Sequence, residues 1–253
     1  MMKNNPGATL LTKNRLGEIT EKDIADQHYL EVVKAFARLS YESTYVINYS
    51  NMSFEYVSDN PLFLCGNTAE EVMQMGYEFY FRHVPAPDLE MLSILNDAGF
   101  DFYAQLPQNE KKNYSISYDF HLVTKAGKEI LINHRLTPLF LTTEGKIWKS
   151  MCVVSLSSQQ TAGNVCIYKH GSNDRWKLNL ETKIWHKFTK PELTDRETEV
   201  LRMHAQGFSI SQIAEKIFVA PDTIKYYRRR IFERLEVANI ADALAHAVNN
   251  RLL

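Results

Sequence analysis

Residues Leu193 to Leu235 leave little room for any fold but three short helices with two tight connections. Thr194 is a good N-cap, and Asp195, Glu197 and Glu199 fall in the first turns that follow, where the helix dipole favours acids. Val200 and Leu201 alternate with polar positions at helical spacing until Gly207 stops the run. Ser209 caps a second helix, whose Ile213, Ala214 and Ile217 share one face. Phe218–Val219–Ala220 has the length of a turn. Pro221 then suits a first-turn position, where its missing N–H costs nothing.

The third helix, about Pro221 to Leu235, carries the chemistry. Ile224, Ile231 and Leu235 define a buried face, which puts Asp222, Lys225, Tyr226 and Arg229 on the opposite one. Lys225, Arg228, Arg229, Arg230 and Arg234 outnumber Asp222 and Glu233. A short helix, a brief turn and a basic second helix make a helix-turn-helix, and such a helix fits the major groove of B-form DNA. Cationic side chains there reach guanine edges or phosphates. A solvated basic face on an ordinary bundle explains the charge equally well.

The order of short signatures separates the two. Leu193-Thr-Asp-Arg-Glu, Val200-Leu201, Ala205-Gln-Gly207, Ile213-Ala-Glu-Lys216, Thr223-Ile-Lys225 and Ile231-Phe-Glu-Arg-Leu235 resemble the LuxR-type DNA-binding domain over about Leu193 to Val248. The resemblance implies an all-α, four-helix domain bound to double-stranded DNA. Lys225, Tyr226 and Arg229 would face base edges, Thr223 and Arg228 would touch phosphates, and Arg230 belongs to the same DNA-contacting set. Three departures bear on sequence preference: Ala220 where Ser is common, Tyr227 where His is usual, and Glu236 where Gly usually ends the helix. A fourth helix, about Asn239 to Asn250, places Ala241, Leu244, Ala245 and Val248 on one face. The family dimerises there, so a homodimer is expected through that face, with Ala241 and Ala245 outward; closing the domain core is the other use for it.

At 253 residues, 45% of them hydrophobic and 23% charged, the chain has material for two ordinary domains. No apolar run approaches the roughly 20 residues that cross a bilayer. Met1 to Gly7 lacks an apolar export core, and Cys65, Cys152 and Cys166 show no C-x-x-C spacing, so a reduced cytoplasm is expected and no membrane partner. Net charge is −5 over residues 1–157, +4 over 158–190 and zero over 191–253. The positive charge of the last segment is therefore confined to one helix, and the basic stretch before it is expected to add phosphate contacts.

Ahead of that domain, residues 1–42 read as a tail and an amphipathic helix from Thr20 to Leu39. Two strands follow, Tyr45–Tyr49 and Phe54–Val57. Next come a helix with a Thr68/Glu71 capping box and a longer helix after Pro87. Three strands end the segment: one around Ile116–Leu122, one from Glu129 to Leu141, and one from Ile147 to Ser155, with Gly127 and Gly145 in the turns. Tyr56-Val-Ser58, Arg82-His-Val with Pro87-Asp88, and Thr124-Lys-Ala-Gly127-Lys resemble a PAS domain over residues 43–156. PAS folds are five-stranded sheets with helices over one face; they sense small molecules or act as dimer modules. The expected fold class is thus α+β: a PAS-like antiparallel sheet with helices, a linker with a small β-hairpin at 157–190 anchored by Trp176 and Trp185, and the all-α helix-turn-helix domain at 191–253.

No cofactor is evident. Cys65 in Leu-Cys-Gly-Asn does not fit a light-sensing flavin motif, His83 suits a loop before Pro85, and His134 suits a hydrogen-bonded core better than a pocket. The cluster Tyr77, Phe79, Tyr80 and Phe81 reads as core. An unknown small-molecule ligand or a partner protein remains open as the signal. No G-x-G-x-x-G, P-loop, H-E-x-x-H or nucleophile elbow argues for an enzyme. The antiparallel runs argue against a phosphorelay receiver. The expectation is a DNA-binding transcriptional regulator; the alternative is a PAS scaffold whose helix-turn-helix binds protein.

Overall fold

Three successive β-rich stretches produce three long antiparallel strands, and the rest of the first unit is laid on them. In the computed structural model, which describes residues 29–189, 193–249 and 252, the chain divides into two units that part between Phe188 and Thr189. The first begins with helix α1 (Tyr29–Leu39), β1 (Ser43–Asn48) and β2 (Ser53–Val57). Helices α2 (Pro61–Leu64), α3 (Ala69–Met75), α4 (Glu78–His83) and α5 (Ala86–Gln105) precede β3 (Tyr114–Val123), β4 (Glu129–Leu141) and β5 (Ile147–Leu156). The pairing order is β2-β1-β5-β4-β3, every pair antiparallel. Five strands in that order, with the helices inserted between β2 and β3, make a PAS-like fold.

Local chemistry explains the elements. The Asn60 side chain caps α2, and Thr68 and Glu71 form a reciprocal capping box on α3. Gly127 and Gly145 take φ of 77° and 76° in the β3–β4 and β4–β5 turns, where a side chain would be strained. Inward-facing Tyr45, Ile47, Phe120, Ile132 and Val154 of the sheet meet Phe63, Val72, Phe79, Leu92 and Leu95 of the helices in one core. On α1, Val33 is buried, and the Tyr29 ring lies edge-on to Phe140 at 4.9 Å. The part of the expected N-terminal helix before Tyr29 lies outside the described residues.

Two expectations change. The segment read as a separate hairpin element forms β6 (Gly163–Lys169), β7 (Asp174–Asn179) and β8 (Ile184–Thr189) of the same sheet, because β6 pairs with β3 from Tyr114↔Lys169 to Ser117↔Cys166. The sheet therefore has eight strands, and β3 is not left as an open edge. Val165, Ile167 and Leu178 join the core. Trp176 and Trp185 lie 5.3 and 5.4 Å from Phe102, and Trp185 Nε1 donates to the Ala98 carbonyl. His83, expected on a loop, ends α4 and is buried, its Nδ1 2.7 Å from the Val123 carbonyl and its Nε2 3.1 Å from the Asn67 amide. The prolines at 85 and 87 stop the helix just after this residue, not before it.

His134 is fully buried among Tyr45, Tyr118 and Phe120. Its Nε2 is 2.6 Å from the Tyr45 hydroxyl, which also meets that of Tyr80. Burial, helped by the nearby Arg135 charge, holds the imidazole pKa down at about 3. The unfolded chain protonates this residue near 6.5, so between about pH 6.5 and 3 it takes up a proton that the folded chain refuses. Stability is full above that window and falls with pH through it, by about 1.4 kcal/mol per unit. Urea midpoints measured at pH 7, 6 and 5 are expected to fall more steeply for the native chain than for His134→Gln; parallel slopes would show that His134 is not held neutral.

Candidate nucleic-acid interface

The second unit is four helices: α6 (Asp195–Ala205), α7 (Ile210–Lys216), α8 (Pro221–Leu235) and α9 (Ile240–Asn249). Thr194 and Glu197 form a capping box on α6, and Ser209 and Gln212 form another on α7. Gly207, at φ 85°, closes α6 with the Phe208 N–H bonded back to the Met203 carbonyl. The turn into α8 is tied by the Val219 N–H to the Ala214 carbonyl. Ala220 occupies the N-cap of α8 without a side-chain hydrogen bond. At the other end Glu236 is left-handed (φ 54°, ψ 45°), a conformation that costs a side-chain-bearing residue roughly 1 kcal/mol.

Ile224, Ile231 and Leu235 bury the inner face of α8 against Val200, Leu201, Ile213, Ala214, Ala243 and Ala247. One carboxylate contacts its last turn. Glu197 is buried, accepts from the Thr194 N–H (2.8 Å) and hydroxyl (3.0 Å), and pairs with Arg234 at 3.2 Å. Arg234 was counted with the cations of the reading helix; it instead ties the end of α8 to the start of α6. The Thr-x-x-Glu spacing marks Glu197 as a cap, but no sequence signal names its second partner.

The outward face brings together Lys225, Tyr226 and Arg229, all exposed, with the Arg229 guanidinium 5.8 Å from the centre of the Tyr226 ring. Arg230 stands beside them, 3.1 Å from Glu233, and Lys225 is 2.9 Å from Asp222. Exposed pairs of this kind contribute about 1 kcal/mol at most, so a phosphate or base edge can displace them. Thr223 and Arg228 are half-buried at the flanks, Arg228 over the Phe232 ring at 5.6 Å. Burial, and then the Arg228 charge, lowers the pKa of His204.

On α9 the Asn239 side chain accepts the Asp242 N–H. Ala243 and Ala247 face the core; Ala241 and Val248 are exposed, while Leu244 and Ala245 are half-buried.

A helix-turn-helix inside a four-helix unit, with a cationic outward face, is the architecture of a DNA-binding domain. Residues 191–247 match the family of bacterial regulatory proteins, luxR family, and this unit is a luxR-type domain. A probable transcriptional regulatory protein NarL of Mycobacterium tuberculosis is 46% identical over 63 residues, which are 25% of this chain and 29% of that protein. The match thus spans under a third of that curated relative. Among solved structures, the phage VqmA–DPO complex aligns over 91% of both chains at 15% identity and a TM-score of 0.33. A PAS domain from a two-component sensor histidine kinase aligns over 52% of this chain and all of its own at 19% identity and a TM-score of 0.31.

Glu197→Ala removes the reciprocal cap of α6 and the partner of the part-exposed Arg234. It is therefore expected to destabilise the C-terminal unit by about 1–3 kcal/mol. Thermal or urea unfolding of the variant checks this; a loss below about 1 kcal/mol would mean that the pair does not hold the unit together.

Proposed function

We propose that the chain is a DNA-binding transcriptional regulator that lays α8 in the major groove, acts as a homodimer joined through α9, and is controlled by a small molecule or partner sensed by the PAS-like unit. The observation that carries this reading is the outward face of α8. Lys225, Tyr226 and Arg229 share it, while the apolar side of the helix is anchored and its last arginine is bound internally. Lys225 and Arg229 offer donors to guanine O6 and N7, and the Tyr226 ring offers an apolar surface to a thymine methyl. Arg230, Thr223 and Arg228 flank this face, where phosphates run beside a helix seated in the groove.

Residues 191–253 carry no net charge, so their affinity for arbitrary DNA is weak and its dependence on salt is set by the few cations of α8. Base contacts then supply most of the discrimination.

Lys225→Ala combined with Arg229→Ala is expected to abolish specific binding without unfolding, each contact contributing about 1–3 kcal/mol. Fluorescence anisotropy on a duplex that the native protein selects from a random pool tests this. Unchanged affinity in the double variant would remove DNA reading from this face, and failure to select any duplex would favour a protein target. Ala241→Glu places a charge on the exposed side of α9 and is expected to weaken dimerisation. Sedimentation of an unaltered dimer would assign the contact elsewhere.

A further inference from the structure

The turn between α7 and α8 closes in the same way as the end of α6, with a different residue at its centre. After α6 the Phe208 N–H returns to the Met203 carbonyl and Gly207 takes φ 85°. After α7 the Val219 N–H returns to the Ala214 carbonyl and Phe218 takes φ 57°. This closure favours glycine, because a side chain in the left-handed region crowds its own backbone. A Cβ on Gly207 would meet nothing within 4 Å, so glycine serves there for its conformation and not for space. Phe218 bears the same strain and is 94% exposed, so packing within the unit returns nothing for it. Glu236, also left-handed, is charged, and its exposure costs nothing.

Phe218 does not stand alone. Ala220 and Pro221 are exposed as well, with half-buried Val219 between them and Phe218. The turn therefore presents an uncharged apolar ridge that runs into the first turn of α8, where Pro221 is the first residue and the Ala220 N-cap makes no side-chain hydrogen bond. A single exposed apolar residue needs no explanation, whereas three together, one of them in a disfavoured conformation, do.

The position of the ridge identifies what covers it. A recognition helix sends its N-terminal residues toward base edges, so the groove wall passes beside the segment that leads into it. Phe218 is three residues ahead of Pro221, which keeps their Cα atoms within about 11 Å of each other. The wall is built of phosphates and deoxyribose. An uncharged ridge has nothing to offer a phosphate, but it suits the C–H edge of a sugar. We infer that Phe218, flanked by Ala220 and Pro221, packs on deoxyribose at the wall of the bound groove and adds an apolar contact to the polar ones of α8. The inference rests on the DNA reading proposed above and deepens it.

The test is Phe218→Gly in the full chain, with Phe218→Asn as a second variant that also suits a left-handed backbone. Both relieve the strain, so the stability of the second unit, read by hydrogen exchange of buried α8 amides, is expected to hold or rise. Affinity for the duplex that the native chain selects, read by fluorescence anisotropy, is expected to fall about tenfold, the effect of leaving part of one aromatic side chain uncovered. An apolar contact displaces no counterions, so the slope of affinity against salt should match that of the native chain. Native affinity in both variants overturns the proposal, and so does a loss of affinity that comes with faster exchange or a changed salt slope. Native affinity together with lost transcription in a reconstituted polymerase assay also overturns it and assigns the ridge to a protein. Unchanged binding in Lys225→Ala/Arg229→Ala sinks the DNA reading itself; loss in that double variant with none in Phe218→Gly sinks the ridge contact alone.

Discussion

The carboxylate of Glu197 joins the start of α6 to the end of α8, and the arrangement of the C-terminal unit depends on it. A buried charge is tolerated only when it is hydrogen-bonded and paired, and here the Thr194 N–H and hydroxyl supply the hydrogen bonds and Arg234 the opposite charge. The same group therefore terminates α6 and holds the far end of α8. Apolar contacts through Ile224 and Ile231 hold α8 against the rest of the unit, and the ion pair adds a contact near its last turn. With the apolar side held inward, Lys225, Tyr226 and Arg229 share the outward one. Arg234 is withdrawn from the cationic set, which leaves the charge toward the start and middle of the helix.

The first unit meets the same demand by different chemistry. Its core holds polar groups that must find partners inside: the Tyr45, Tyr80 and His134 cluster, the His83 link from α4 to Val123, and Asp119. The Asp119 carboxyl, raised in pKa mainly by burial, accepts from Asn133 at 3.0 Å and Ser157 at 2.8 Å. Each of these bonds joins segments far apart in sequence. A slip of one residue in β3 or β4 would turn the paired residues to opposite faces and leave the acceptors unmet. These polar groups help to fix a register that apolar residues alone would specify less sharply.

What could be read from the residues follows from how local the signal was. The capping box at Thr68, the Thr194 N-cap, the Gly127, Gly145 and Gly207 turns, and the buried stripe of α8 each lie within a few residues, and each was legible. The partner of β6 was not, because alternation shows that a strand has an inner face but not which edge it joins. The end of α4 was misplaced because prolines were read as ending a helix early, when they mark only the residue after it. Arg234 could not be sorted from Arg229 and Arg230 by charge; only the position of Glu197, 37 residues away, separates them. Ala241 and Val248 are exposed while Leu244 and Ala245 are half-buried, and spacing alone does not say which side of a helix meets its own core.

The reassignment of β6 to β8 also changes the electrostatic picture. The surplus of four positive charges over residues 158–190 was expected to serve as a basic linker along phosphates. In the fold β6, β7 and β8 belong to the eight-stranded sheet, and several cations of this stretch are engaged there: Lys169 with Glu110 at 2.8 Å, Lys187 with Asp174 at 3.0 Å, and buried Arg175 over the Tyr168 ring at 4.8 Å. They hold strands together and are less available to a duplex than a flexible basic arm would be.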